Sequence, residues 1–344
     1  MTIKQAIQQI SGFGYILNSL NILSPAGRKE LFSLPFLTNR NDIETALDET
    51  ETAFNIVNTT ENERLLSVLF SRLTQLRDIS GTVRLLSTKN TLTDIELFEI
   101  KHFALLAESV RELAGQLKIS FAAIPVLEKI IDILDPEKKR IPHFYVYDRY
   151  SPALAALRTQ LSRMSGQECD EQETEPVRLQ AQLLEDKIRK DLVQQLFPHA
   201  PALSKALHEI ARLDVVFAKA LQVKESGLCR PTVDDQRTAY TALFHPEIRN
   251  LLRGQHKDFQ PVDITVPMQP TVITGANMSG KSVLLKSVAL AQTMMQFGFY
   301  VAAQSATVVP VEQIVISVGD SEDEGRGLSS FAAEMLRLNT AIDN

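Results

Sequence analysis

The sequence predicts a mixed architecture: a long all-α body followed by a shorter α/β segment arranged around a glycine loop. Three observations predict it. From Met1 to about Val223, apolar residues recur every three or four positions, the period of a helix with one buried face. Six of the 14 glycines (Gly275, Gly280, Gly298, Gly319, Gly325 and Gly327) fall in the last 70 residues. Glycine is costly inside helices and useful where backbone turns tightly or approaches a ligand. Between the two regions, after Cys229-Arg230-Pro231, the rhythm changes to short extended runs. The expected domains are therefore residues 1–225 and 226–344.

In the first domain, Thr93 and Glu96 have capping-box spacing, followed by Ile95, Phe98, Leu106, Val110, Leu113 and Leu117. Similar rhythms predict helices over 65–76, 121–134, 154–161, 179–196 and 203–221. Breaks are expected at Gly27, at Asn58-Thr59-Thr60, at Pro136 and Pro142, and at Pro198-His199-Ala200-Pro201. Glu168, Asp170, Glu171, Glu173 and Glu175 crowd together between Gly166 and Pro176, which reads as an exposed loop tip. In the second domain, residues 238–244, 262–266 and 270–274 are predicted strands, and 283–297 a helix.

Composition excludes several classes. With 36 basic against 42 acidic residues the net charge is −6, which argues against a surface that grips nucleic acid everywhere but leaves room for a local basic face. The densest basic cluster, Lys138-Lys139-Arg140 beside Glu137, reads as a solvated loop. Two cysteines, Cys169 and Cys229, cannot form a disulfide framework or a thiolate-rich metal site alone. The six histidines show no metal-ligand spacing. No apolar run approaches the roughly 18 residues of a membrane span, and the amino terminus lacks the apolar core of a secretory signal. A cytoplasmic protein with no membrane partner is expected.

The strongest signal is Gly275-Ala276-Asn277-Met278-Ser279-Gly280-Lys281-Ser282, which satisfies G-x-x-x-x-G-K-[ST] at every fixed position. Apolar Val272-Ile273 precedes it and a helical run begins at Val283, so the strand–loop–helix context is also present. Consecutive backbone N–H groups in such a loop wrap phosphate oxygens, and the helix amino terminus adds a favourable dipole. Lys281 is placed to neutralise β/γ-phosphates and the Ser282 hydroxyl to ligate Mg²⁺. ATP with Mg²⁺ is the expected ligand.

Neighbouring residues narrow the family. Residues 273–282 resemble the phosphate loop of MutS-type ATPases, which usually carry Pro where this chain has Ala276 and Gly where it has Ser279. Residues 298–303 are similar to that family's strand after the loop helix, with Ala302 in place of its usual proline. Ser329-Ser330-Phe331-Ala332-Ala333-Glu334-Met335 is similar to the signature that opens a later helix and, in ABC-like ATPases, caps the γ-phosphate held by the opposite subunit. The resemblance extends upstream through Ser24–Leu31, Asp42–Asp48, Tyr150–Arg158, Cys229-Arg230-Pro231 and His245-Pro246. Phe259 occupies a place where the family often has a phenylalanine near the adenine base.

The resemblance implies an all-α core followed by an incomplete α/β P-loop ATPase domain, with a clamp shortened to about 159–178. It implies a nucleotide-driven switch that works as a homodimer or MutS-like dimer with DNA as partner class. Gly275 to Val283, Phe259, Ser329 and Ser330 are then the nucleotide-contacting residues, and Ser282 the metal ligand. The domain carrying the mismatch-probing Phe-x-Glu is expected to be absent before Met1. The Walker B carboxylates would follow Asn344, so this chain is expected to bind ATP without turning it over. Two rival readings stay open. One is a DNA-independent MutS-like ATPase that remodels a partner protein, such as a cobalamin-dependent aminomutase. The other is an inert structural relic.

Overall fold

A computed structural model describes residues 1–165, 171–276 and 279–316. In chain order its helices begin with α1 (Ile3–Gln9), opened by a Thr2–Gln5 capping box, and α2 (Phe13–Asn18). They continue with α3 (Pro25–Ser33), α4 (Arg40–Asn58), α5 (Glu63–Leu73) and α6 (Ser80–Ser87). Next come α7 (Asp94–Gln116), α8 (Glu128–Leu134), α9 (Pro152–Ser165), α10 (Glu171–Leu196) and α11 (Ala200–Ser226). Strands β1 (Thr232–Val233) and β2 (Arg237–Leu243) precede α12 (Pro246–Gly254) and β3 (Val262–Pro267). Helix α13 (Lys281–Gln296) and strand β4 (Ser305–Val308) close the series. Among the described residues the chain is mostly helical with one small mixed sheet, which agrees with the coarse expectation of a helical core and a partial α/β segment.

Two compact units divide these elements. One comprises residues 22–30 and 59–215. Its helix α7 is started by the predicted box: Thr93 Oγ1 accepts from Glu96 N, and Glu96 Oε2 accepts from Thr93 N. Lys101 on α7 is fully buried and reaches Asp135 Oδ1 at 3.0 Å and the Tyr147 hydroxyl at 3.0 Å. Asp135 also accepts from Arg140 N, which keeps its carboxyl below the usual range despite burial. Lys138-Lys139-Arg140 is exposed, as its composition predicts, with Lys139 paired to Glu137 and Arg140 to Glu128.

The other unit comprises residues 1–21, 31–58 and those from Val216 on. Its sheet has the order β1-β4-β2-β3, with β1 and β4 parallel and the other pairs antiparallel. Its aromatic core joins distant segments: the Phe13 ring stacks on Phe297 at 5.4 Å, and Phe36 meets Phe297 edge-on at 5.5 Å. Such pairs add roughly 0.5–1.5 kcal/mol each beyond area burial.

Several expected boundaries are corrected. Gly27 lies inside α3: Ser24 Oγ accepts from Gly27 N at 2.8 Å and the Asp214 carboxylate accepts from Leu23 N and Ser24 N, so this turn is capped, not broken. Of residues 121–134 only α8 is helical, because Pro125 drives Ile124 out of the helical region. Residues 270–274 join no ladder among the described residues. The Val272 side chain there is 84% exposed, and a β-prone run without a neighbouring strand leaves its backbone unpaired. Residues 298–303 form no strand either. Val301 makes a single bridge to Cys229, and the extended pairing waits until β4. The later part of the expected acidic loop tip is helical instead: Glu171 is the first residue of α10, Pro176 lies inside it, and Glu173 and Glu175 are exposed along it. Gly166, Glu168, Cys169 and Asp170 lie outside the described residues.

Candidate functional site

The glycine loop leads into α13, and the local geometry follows from its residue types. Gly280 is the N-cap of α13 at φ +87°, a left-handed conformation that a side chain would strain. No side chain caps this helix end, and no acidic residue lies in its first turn. The first-turn N–H groups that every helix leaves unpaired therefore face no built-in anion. At Gly275 an added Cβ would sit 2.8 Å from Ser279 Oγ, so the loop closes on itself only with glycine there. Ser279 N donates to Ala276 O at 3.3 Å, and Leu284 N to Gly280 O at 2.9 Å begins the helical ladder.

The Lys281 side chain folds back over the loop. Its Nζ donates to Gly275 O at 2.7 Å and to Ala276 O at 2.6 Å. A charged amine thus spans the loop mouth, held by carbonyls at the loop's start. Ser282 is exposed beside it and Val283 is half-buried. Mg²⁺ keeps several waters and takes one or two protein oxygens plus phosphate oxygens, so a single exposed hydroxyl at Ser282 fits that ion's demands. No cluster of three or more His, Cys, Asp or Glu that could hold a metal occurs among the described residues.

Gly275, Ala276, Ser279, Gly280, Lys281, Ser282 and Val283 are therefore brought together as one loop and helix start. Phe259 is half-buried in the irregular segment between α12 and β3. Asn277, Met278, Ser329 and Ser330 lie outside the described residues, as do the carboxylates Asp320, Glu322, Asp323 and Glu324. His245, which the sequence placed only by resemblance, is fully buried as the N-cap of α12. Its Nδ1 accepts from Ile248 N and its Nε2 donates to Ser11 O, while burial lowers its pKa.

The far end of α13 holds a group that sequence reasoning missed. Lys219, on the part of α11 where every residue from 213 to 220 but Asp214 is apolar or this lysine, is buried. Its Nζ donates to Phe297 O at 2.9 Å and Gly298 O at 3.1 Å and lies 4.2 Å from the Phe299 ring centre. Burial lowers its pKa to about 7, opposed by the Glu49 charge. A lone lysine within an apolar run was the available signal.

The sequence that carries this glycine loop and helix start is similar to known proteins. Residues 271–344 match the family described as MutS domain V. The DNA mismatch repair protein MutS of Bartonella tribocorum is 35% identical over 170 residues, 47% of this chain and 19% of that protein. The MutS of Dinoroseobacter shibae is 36% identical over 168 residues, 46% of this chain and 19% of the relative. The human DNA mismatch repair protein Msh3 is 32% identical over 148 residues, 42% of this chain and 13% of its own length. These matches show what parts of the chain are similar to: residues 271–344 to MutS domain V, and just under half of the chain to MutS and Msh3 proteins. The matched stretch spans about a fifth or less of each of these relatives. Among the described residues, no helix is long and apolar enough to cross a membrane.

Proposed function

We propose that this chain supplies the helical core and the nucleotide-binding segment of a MutS-family, ATP-dependent switch. ATP is held at the loop from Gly275 to Val283, its phosphates on the loop N–H groups and Lys281, with Phe259 against the base. Ser282 would hold Mg²⁺, which when bound neutralises phosphate charge. Ser329 and Ser330 would close the site of the opposite subunit in a dimer. The observation that carries this reading is the Lys281 amine folded across its own loop, at the start of a helix with an uncapped amino end. It lies within the stretch that matches MutS domain V.

DNA is the partner class this reading assigns, as the relatives' names indicate for those proteins. A protein partner is the second reading, and one observation favours it. Helix α10 exposes Leu179 and Leu183, four residues apart, beside the exposed carboxylates of Glu173 and Glu175. An apolar pair flanked by acidic groups suits a protein surface better than phosphates. Duplex binding measured across a salt series separates the two. A steep fall of affinity with salt marks phosphate contacts, and absence of binding at ~50 mM salt favours the protein partner.

A further inference from the structure

Helix α13 is held very unevenly along its length. Its first half buries only Ser287, whereas every residue from Leu290 to Gln296 is buried. The carboxyl end is tied by three separate groups. Gln296 Nε2 donates to Leu37 O at 2.9 Å and Val311 O at 2.6 Å. The Phe297 ring packs against Phe13 and Phe36. The Lys219 amino group takes the carbonyls of Phe297, the C-cap of α13, and of Gly298, the residue after it. Near the amino end, by contrast, Leu285 is half exposed and Gly280 has open space around it.

A helix fixed at one end and less enclosed at the other, among the described residues, transmits the placement of its anchor to its tip. With 16 residues at about 1.5 Å each, α13 carries that placement over roughly 24 Å. We propose that Lys219 is a positioning residue for the glycine loop: by tying off the carboxyl end of α13 it sets where Lys281 and Ser282 stand. The inference rests on the nucleotide-binding reading above and adds a residue remote from the loop. Burying an amine is expensive unless its hydrogen bonds are made, and the acceptors here belong to the two residues that directly follow the loop-bearing helix. Removing the donor takes this partner from the two carbonyls just past α13, so the exit of the helix loosens and the loop loses its fixed origin.

The test uses the full chain with ATP and Mg²⁺, combining calorimetry with amide hydrogen exchange over residues 293–300. Lys219→Met should speed exchange there and weaken ATP binding about three- to tenfold, the worth of one net hydrogen bond. Lys219→Gln keeps an N–H donor without the charge and should recover affinity to within about twofold of wild type. Coupling is reciprocal, so ATP bound to the wild type should slow exchange at 293–300, a measurement that needs no variant to fold. Wild-type exchange unchanged by bound ATP overturns the proposal. So does Lys219→Met binding ATP as tightly as wild type, or Lys219→Gln binding no better than Lys219→Met. Absence of ATP binding by the wild type, or equal binding by Lys281→Ala, sinks the nucleotide reading itself.

Discussion

Exchanging Lys219 for methionine removes a titration as well as two hydrogen bonds, and the two effects separate with pH. Burial holds the lysine near 7 in the folded protein, against 10.5 for an exposed lysine. Between those values the unfolded chain binds more protons at this position than the folded one, so the wild type gains stability as pH rises. Below about pH 6 both states are charged and the contribution is flat. The slope reaches at most about 1.4 kcal/mol per pH unit, which integrates to about 2 kcal/mol between pH 7 and 9. Methionine fills similar space and has no proton to lose, so its stability lacks this rise. Equilibrium urea unfolding of both proteins at pH 6, 7, 8 and 9 yields the difference directly, and other titrating groups cancel in the subtraction. A wild-type advantage that grows by about 2 kcal/mol from pH 7 to 9 is expected. Parallel curves would refute the burial argument, because they would mean that Lys219 titrates as though it were in water.

Other substitutions probe the charges buried in the unit formed by residues 22–30 and 59–215. Asp214→Ala strips the acceptor from Leu23 N, Ser24 N and Ser24 Oγ, and should cost about 2–4 kcal/mol of stability, read as a lowered urea midpoint. Lys101→Met leaves the Asp135 carboxylate buried without its ion pair and should cost about 3–5 kcal/mol, whereas Lys101→Met with Asp135→Leu should recover much of the loss in a double-mutant cycle. Duplex binding, if present, should weaken by more than tenfold between about 50 and 200 mM salt, checked by fluorescence anisotropy.

Local signals in the sequence were legible where local chemistry decides the outcome. The Thr93–Glu96 box starts α7 because both partners lie within one turn. The glycine loop opens α13 because Gly280 and Lys281 sit next to each other in the chain. Distant partners overrule local signs elsewhere. Gly27 reads as a break, yet Asp214, far along the chain, holds that turn in a helix. Val272 and Ile273 read as a strand, but strand formation depends on a neighbour, and none pairs with them among the described residues. Lys101, Asp214 and Lys219 carry much of the internal organisation, and only Lys219 left a local sign, a lone lysine in an apolar run. A charged residue's burial depends on hydrogen-bond partners brought in from 34, 190 and 78 positions away. The candidate loop could therefore be read from the sequence, while the anchor of its helix required the fold.

The central claim is that the loop from Gly275 to Val283 binds ATP through Lys281. Titrating the full chain with ATP and Mg²⁺ in a calorimeter, beside Lys281→Ala, tests it most directly. The alanine variant loses a charge-assisted contact of about 1.5–3 kcal/mol, so its affinity should fall at least about tenfold while its urea midpoint stays near that of the wild type. Equal affinity in the two proteins would contradict the account.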